Sequence, residues 1–331
     1  MVGAHLLYEL TKAGEKVRAL KRPSSNLNQV IKTFEYYTNN AQQLFDTIEW
    51  FDGDMLDYDS MEKALAGVQI IYHCAAIVSF DSRQREQMIS GNVQGTANIV
   101  DAAIANGVKR ICHVSSIAAL GKATNGESVT ELTSWVPSKR NSSYSESKFH
   151  SETEIWRGIE EGLDAVIVNP SIIFGPANWE SGSAKIFKSI WDGMKFYTKG
   201  VTGFVDVEDV VKAMLQLSND VNFEQCKNER YLLNAENKSY QEVFFKIADV
   251  LDKPRPSIFA SDALTGIVWR LAAVASFITR RPSLLTREAV TGRNAINLYD
   301  GSKISSKIDF SYLKIEDSIK QTAGFLKKDM Q

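Results

Sequence analysis

Tyr144-Ser145-Glu146-Ser147-Lys148, with Val108-Lys109-Arg110-Ile111-Cys112-His113-Val114-Ser115-Ser116 upstream of it, is the stretch on which the reading of the fold turns. The upstream segment is a short apolar run with the composition of a strand, and it ends on two hydroxyls. A hydroxyl at the carboxyl end of a parallel strand sits where open α/β sheets bind ligands. In the second segment, 28 residues beyond Ser116, tyrosine and lysine are four apart, so a helix puts them on one face. A phenol titrates near pH ~10 in water, and a neighbouring ammonium favours the phenolate. Serine, tyrosine and lysine in this order are a candidate proton-transfer site of the kind that carbonyl reduction or alcohol oxidation needs.

The Tyr-x-x-x-Lys spacing by itself decides nothing, because Tyr8 with Lys12 and Tyr299 with Lys303 repeat it. Tyr8 falls in the amphipathic run Ala4-His5-Leu6-Leu7-Tyr8-Glu9-Leu10, where a packed tyrosine is expected. Tyr299 precedes the turn Asp300-Gly301, so no helix is expected to carry Lys303 beside it. Only Tyr144 has the strand and the serine in front of it.

Around this core, strand and helix patterns alternate. An opening helix stops at Gly14, and Lys16-Val17-Arg18-Ala19-Leu20 follows as a strand. A polar and aromatic helical stretch from about 26 to 46 leads to Ile48-Glu49-Trp50-Phe51. Next come a helix near 60–66, the strand Gln69-Ile70-Ile71-Tyr72-His73-Cys74, a helix over 87–106 and the Ile111 strand. The Tyr144 helix then runs into Ala165-Val166-Ile167-Val168 and Asn169-Pro170. The alternation predicts an α/β fold with a doubly wound parallel sheet of Rossmann type. Residues 1–170 are expected to form its nucleotide-binding domain, with about 201–225 returning to it. Residues 171–200 and 226–331 are expected to form a smaller, mostly helical substrate region.

Composition bounds the function. With 331 residues, 44% hydrophobic and 24% charged, the chain suits one large or two smaller globular domains. A net charge of −2 offers no basic field for nucleic acid. Cys74, Cys112 and Cys226 are scattered with no Cys-x-x-Cys pair, which predicts buried thiols in a reducing compartment and no metal framework. The chain opens into a helix pattern rather than a signal peptide, so a cytoplasmic protein is expected. The apolar stretch 263–279 is too short to span and carries Arg270; a packed helix is expected, with weak interfacial membrane contact as the alternative.

Further motifs follow in order: Gly53-Asp54-Met55-Leu56-Asp57, His73-Cys74-Ala75-Ala76, Asn92-Val93-Gln94-Gly95-Thr96, Val114-Ser115-Ser116-Ile117-Ala118-Ala119-Leu120-Gly121, Asn169-Pro170-Ser171-Ile172-Ile173-Phe174-Gly175-Pro176 and Val205-Asp206-Val207-Glu208-Asp209-Val210. Together they resemble the extended short-chain dehydrogenase/reductases, the NAD-dependent epimerase/dehydratase family, over nearly the whole chain. The resemblance implies that Asp54 and Met55 meet the adenine and that Ala75 and Ala76 pass under the cofactor ribose. It implies that Asn92 supports the active site and that Pro170 and Ile173 border the nicotinamide. It also implies Ser116 as the catalytic serine, counting back from Gly121, with Ser115 as the rival and a cofactor neighbour. Tyr144 then exchanges the proton, and Lys148 lowers the tyrosine pKa and holds the nicotinamide ribose.

The resemblance breaks at the front. The family's first strand and Thr-Gly-x-x-Gly-x-x-Gly loop should precede the helix near Ala4, and only the last glycine, Gly3, is present. Those glycines let backbone N–H groups approach a pyrophosphate at a helix N-terminus. The missing strand would be central, lying between the second and fourth strands of the common order. A misassigned start codon is the expectation, with a clipped chain as the other possibility.

Cofactor choice is read after the second strand, where Leu20 is followed by Lys21-Arg22-Pro23-Ser24-Ser25 instead of an acidic residue. Lys21 and Arg22 suit a 2′-phosphate, so NADP(H) is expected, with NAD possible. Tyr231-Leu232-Leu233-Asn234-Ala235 resembles dihydroflavonol-reductase-like and hydroxysteroid-dehydrogenase-like members more than sugar-nucleotide epimerases. A reductase or dehydrogenase for a fairly apolar small molecule is expected, with Trp135, Phe174, Trp179 and Trp191 as possible pocket residues. A sugar-nucleotide epimerase or dehydratase that retains NAD, and a non-catalytic nucleotide sensor, are the alternatives. The resemblance admits a monomer or a homodimer.

Overall fold

The computed structural model describes residues 1–78, 84–123, 126–138, 141–261 and 294–331. In chain order the elements are α1 (Val2–Lys12), β1 (Arg18–Lys21), α2 (Asn28–Glu35), α3 (Ala41–Asp46), β2 (Glu49–Asp52), α4 (Tyr58–Leu65), β3 (Ile70–His73), α5 (Arg85–Ala105), β4 (Arg110–Val114), β5 (Ser128–Val129), α6 (Ser143–Glu160) and β6 (Ala165–Pro170). The second half adds β7 (Ile172–Phe174), α7 (Ala184–Trp191), β8 (Phe196–Tyr197), β9 (Val201–Asp206), α8 (Val207–Ser218), α9 (Phe223–Cys226), β10 (Glu229–Leu233), β11 (Glu236–Ser239), α10 (Tyr240–Val250), β12 (Ile258–Phe259), β13 (Leu298–Tyr299), α11 (Lys303–Lys307) and α12 (Ile315–Met330).

The main sheet has the order β10-β6-β4-β3, and all its pairings are parallel. Its central strands face apolar layers on both sides, so they read as continuous hydrophobic runs. Successive residues of a strand point to opposite faces, and the two layers divide accordingly. Ile111, Ala165 and Ile167 pack with Ile99, Val100 and Ile155 of α5 and α6. Cys112, Val114, Val166 and Val168 pack with Leu6 of α1 and Val210, Met214 and Leu217 of α8. Helices on both faces make the fold doubly wound, as the alternation implied.

A second parallel pair, β1 with β2, is not hydrogen-bonded to this sheet. Among the described residues β3 pairs with β4 alone and β1 with β2 alone. β1 and β3 are each an edge strand of their sheet. Neither is as deeply buried as β6, which has six buried residues of six.

Three sequence expectations shift. The single helical stretch over 26–46 is two helices, α2 and α3, because Thr38-Asn39-Asn40 interrupts it with residues that favour caps and turns. The strand expected at Lys16 begins at Arg18. Tyr231 and its neighbours, expected on the substrate side, lie on β10, which pairs with β6 and forms an edge of the main sheet. The apolar stretch 263–279 lies outside the described residues.

β7 and β9 run parallel, β11 pairs with β9 antiparallel, and α7, α10 and α12 close an apolar cluster against them. β9 passes into α8 at Asp206, whose Oδ1 accepts the Glu208 N–H at 2.7 Å as the helix cap. The Ser318 hydroxyl of α12 donates to the other carboxylate oxygen. Burial raises the Asp206 carboxyl to about 7, although these two hydrogen bonds act the other way. The folded chain therefore holds a proton that the unfolded chain releases near pH ~3.9, and stability falls as pH rises between the two values. Asparagine keeps an acceptor for the cap and has no charge to bury. Asp206→Asn is expected to flatten the fall and add about 2–4 kcal/mol above neutral pH, read as melting temperature against pH.

Candidate active site

Ser142 caps α6, its hydroxyl accepting the Ser145 N–H at 3.1 Å. This cap fixes the helix start, and with it the place of Tyr144 in the first turn. The Tyr144 hydroxyl hydrogen-bonds the Ser116 side chain. Ser116 follows β4 directly, and its Oγ accepts the Ala118 N–H at 3.1 Å, capping a short 3₁₀ turn over Ile117–Ala119. One turn along α6, Lys148 Nζ donates to the Val114 carbonyl at 3.0 Å. Serine, tyrosine and lysine are thus gathered at the carboxyl end of β4 by two elements far apart in sequence.

Electrostatics at the site follow burial first. Desolvation pulls the Lys148 ammonium down to about 8, and the Glu152 carboxylate acts in the opposite direction. Burial pushes the Tyr144 phenol up, while the hydrogen bond to Ser116 lowers it. This corrects the expectation of a depressed phenol. The Lys148 ammonium is aimed at a strand carbonyl, and desolvation dominates at Tyr144.

The Ser115 hydroxyl donates to Glu152 Oε2 at 2.6 Å inside the protein, so its side chain is engaged with α6. Asn92 acts at one remove: its Oδ1 accepts the Ile77 N–H at 2.7 Å, and its Nδ2 reaches the Ile77 carbonyl at 2.9 Å and Ser147 Oγ at 2.8 Å. It ties the segment after β3 to α6. Ala75 is exposed and Ala76 half-buried in that segment. Pro170 is buried at the end of β6, and the Ile173 carbonyl accepts the Ser183 hydroxyl.

A polar cleft of about 610 Å³ opens at the carboxyl ends of β1 and β2, lined by Arg22, Ser24, Asp52, Gly53, Asp54 and Lys63 among others. An added Cβ on Gly53 would lie 2.3 Å from Ser60 Oγ and 2.8 Å from Leu20 Cδ1, so any larger residue there would have to displace both side chains. Lys21 points its ammonium at Asp52. Of the basic pair, Arg22 is the member that lines the cleft. Met55 lies beneath α5: its carbonyl accepts Asn98 Nδ2 at 2.9 Å, and a Cβ on Gly95 would strike its Cε at 2.1 Å.

These residues fit a dinucleotide at its two ends, in the cleft beside Arg22 and at the Ser116, Tyr144 and Lys148 cluster. They do not supply the phosphate cradle between. Gly3 lies inside the first turn of α1, 3.5 Å from Cys74 Cβ when given a Cβ of its own. Among the described residues no cluster fits a metal ion.

The aromatic residues separate. Phe174 and Trp179 are core, and Trp191 packs at its margin under the Lys253 ammonium. Trp135 alone of the four lies beside the site, stacked on Phe149 at 4.2 Å and donating to Ser145 Oγ at 3.0 Å. Sequence reading missed Glu152, Asn169 and Arg230. Glu152 carried a signal, since it follows Tyr144 and Lys148 on the same helical face at the next interval of four.

The sequence profile of the NAD dependent epimerase/dehydratase family matches residues 1–232. The chain belongs to this family. A member from Synechocystis sp., a putative dihydroflavonol 4-reductase, is 31% identical over 259 residues, 77% of this chain and 71% of that protein. Sterol demethylase protein B of Methylococcus capsulatus is 31% identical over 261 residues, 78% of this chain and 74% of that protein. Among solved structures, gox2253 superposes with a TM-score of 0.80 at 25% identity, covering 99% of this chain and 96% of that one. Membership supports an enzyme that works with a nicotinamide cofactor. Among the described residues no helix is long and apolar enough to cross a membrane.

Proposed function

We propose that this protein is an NADP(H)-linked oxidoreductase that interconverts an alcohol and a carbonyl on a fairly apolar small molecule. The observation that carries the reading is the hydrogen bond between Tyr144 and Ser116, with Lys148 one helical turn along held by the Val114 carbonyl. Bound nicotinamide would supply or accept the hydride. Ser116 orients and polarises the carbonyl oxygen, and Tyr144 delivers its proton to that oxygen as it becomes an alkoxide. A phenol kept protonated by burial is suited to donating in the reductive direction. Lys148 places a positive charge below the pair and steadies the phenolate left after transfer. The names of the two relatives, a reductase and a sterol demethylase component, favour a ring-bearing apolar substrate over a sugar nucleotide.

The choice of NADP(H) rests on Arg22, which lines the cleft with Ser24 and has no acidic residue of β1 beside it. Arg22→Ala is expected to weaken NADPH binding tenfold or more, on the scale of a lost charge-assisted hydrogen bond of about 1.5–3 kcal/mol, and to leave NADH binding nearly unchanged. Titration of the native protein with both coenzymes measures this. The function itself is tested by identifying the nucleotide that co-purifies and by following NADPH oxidation over a panel of apolar ketones. Tightly retained NAD with no ketone reduction would overturn the proposal.

A further inference from the structure

Glu152 is buried two turns of α6 beyond Tyr144 and one beyond Lys148. Four donors from four places in the chain meet its two oxygens. Oε2 accepts the Ser115 hydroxyl at 2.6 Å and Asn169 Nδ2 at 2.7 Å, while Oε1 accepts Arg230 Nη1 at 3.0 Å and Trp156 Nε1 at 3.2 Å. A carboxylate has about four acceptor sites, so this one is fully used. Two of the donors lead back to the reacting groups. Ser115 immediately precedes Ser116, and the same Asn169 amide also donates to the Ser116 carbonyl at 3.1 Å. Arg230 is itself held by the Glu131 carbonyl at 2.8 Å, so the hub is braced on β10 at the edge of the sheet.

We propose that Glu152 is a positioning residue for the site: as the hub of this network it stands one helical turn from Lys148 and locks the Ser115–Ser116 segment through Ser115 and Asn169. This deepens the oxidoreductase reading and rests on it for its catalytic meaning. The Lys148 charge also reaches His73 of β3, His113 of β4 and Cys74, and Tyr144 stands one turn earlier on α6. Burial leaves both imidazoles below their ordinary range, with the His73 value at about 3, so they stand neutral and add no charge to Lys148 near neutral pH. Glu152 is the main charged partner of Lys148, since burial drives the Cys74 thiol up to about 12 and leaves it neutral. Its counter-cation Arg230, 3.0 Å from Oε1, competes for that carboxylate.

The test reads Lys148 directly, by NMR titration of isotope-labelled lysines in the full chain, with the Lys148 signal assigned by its loss in Lys148→Met. This needs no substrate, so its outcome is independent of whether the proposed reaction is found. Glu152→Gln is expected to lower the Lys148 midpoint by about one pH unit or more. Arg230→Met is expected to raise it, because the carboxylate loses its competing cation. The opposite signs separate positioning from general loosening, and Arg230→Met keeps the test alive if Glu152→Gln does not fold. In the enzyme assay, the alkaline limb of the rate profile should move with the midpoint. An unmoved Lys148 midpoint in both variants overturns the proposal.

Discussion

Tyr144→Phe is expected to reduce turnover by about 10²–10⁴-fold, the usual contribution of a positioned acid or base, with coenzyme affinity nearly unchanged. The hydroxyl is the only group removed, and it touches Ser116 rather than the coenzyme cleft beside Arg22. Phenylalanine fills the same space, so the half-buried first turn of α6 keeps its packing. Loss of the Ser116 partner costs about 1 kcal/mol at most where the serine retains its bond to the Ala118 N–H. Steady-state kinetics together with coenzyme titration check this, and a variant with turnover within tenfold of the native protein would rule Tyr144 out as the proton donor. The result also discriminates between readings of the fold: a nucleotide sensor that does no chemistry would show no change in its binding signal and have no turnover to lose.

Lys148→Met should divide stability from activity. Lys148 is buried with its pKa drawn down from the ordinary lysine value to about 8, which means that the charged form is held at a cost below that pH. For a base depressed on folding, the unfolded chain binds more protons between the folded and unfolded values, so native stability rises with pH across about 8 to 10.4. Methionine matches the stem and removes the charge, while forfeiting the bond to the Val114 carbonyl, worth about 1 kcal/mol. The net expectation at neutral pH is a gain of about 2 kcal/mol and a melting point a few degrees higher, with no rise at alkaline pH. Activity should fall by about 10²-fold or more, since nothing then steadies the phenolate. Melting curves across the alkaline range, paired with turnover, read both effects. A less stable variant would mean that the Val114 bond outweighs the desolvation of the ammonium. Such opposition is common where a site is built from groups the fold would rather not bury.

Much of this is legible in the sequence. Ile111–Val114 and Ala165–Val168 are runs of apolar residues bounded by turn or cap signals, and each became a parallel strand at the centre of the sheet. The four-residue interval between Tyr144 and Lys148 needs only helical periodicity, and a capped helix supplies it. The two decoy pairs failed for the local reasons expected. Tyr8 is packed among Phe34 and Tyr37, and Tyr299 lies on β13 while Lys303 begins α11 and donates to the Arg230 carbonyl. Where the reading slipped, the cause was partnership between distant residues. Lys21 looked free for a phosphate because Asp52, 31 residues on, is invisible as its partner until β1 and β2 pair. Ser115 looked available because its acceptor, Glu152, lies 37 residues away on another element.

By itself the sequence determined the order of strands and helices, the family, and which serine, tyrosine and lysine stand together, because all of these depend on local periodicity and on motifs in fixed order. The tertiary structure alone decided how those groups are charged and held. Burial pushes the Tyr144 phenol up and the Lys148 ammonium down, and Glu152 opposes the second shift from within a network that joins α6, β4, β6 and β10. Desolvation and long-range Coulomb interaction have no sequence period, and they come into being only when the chain closes around the site.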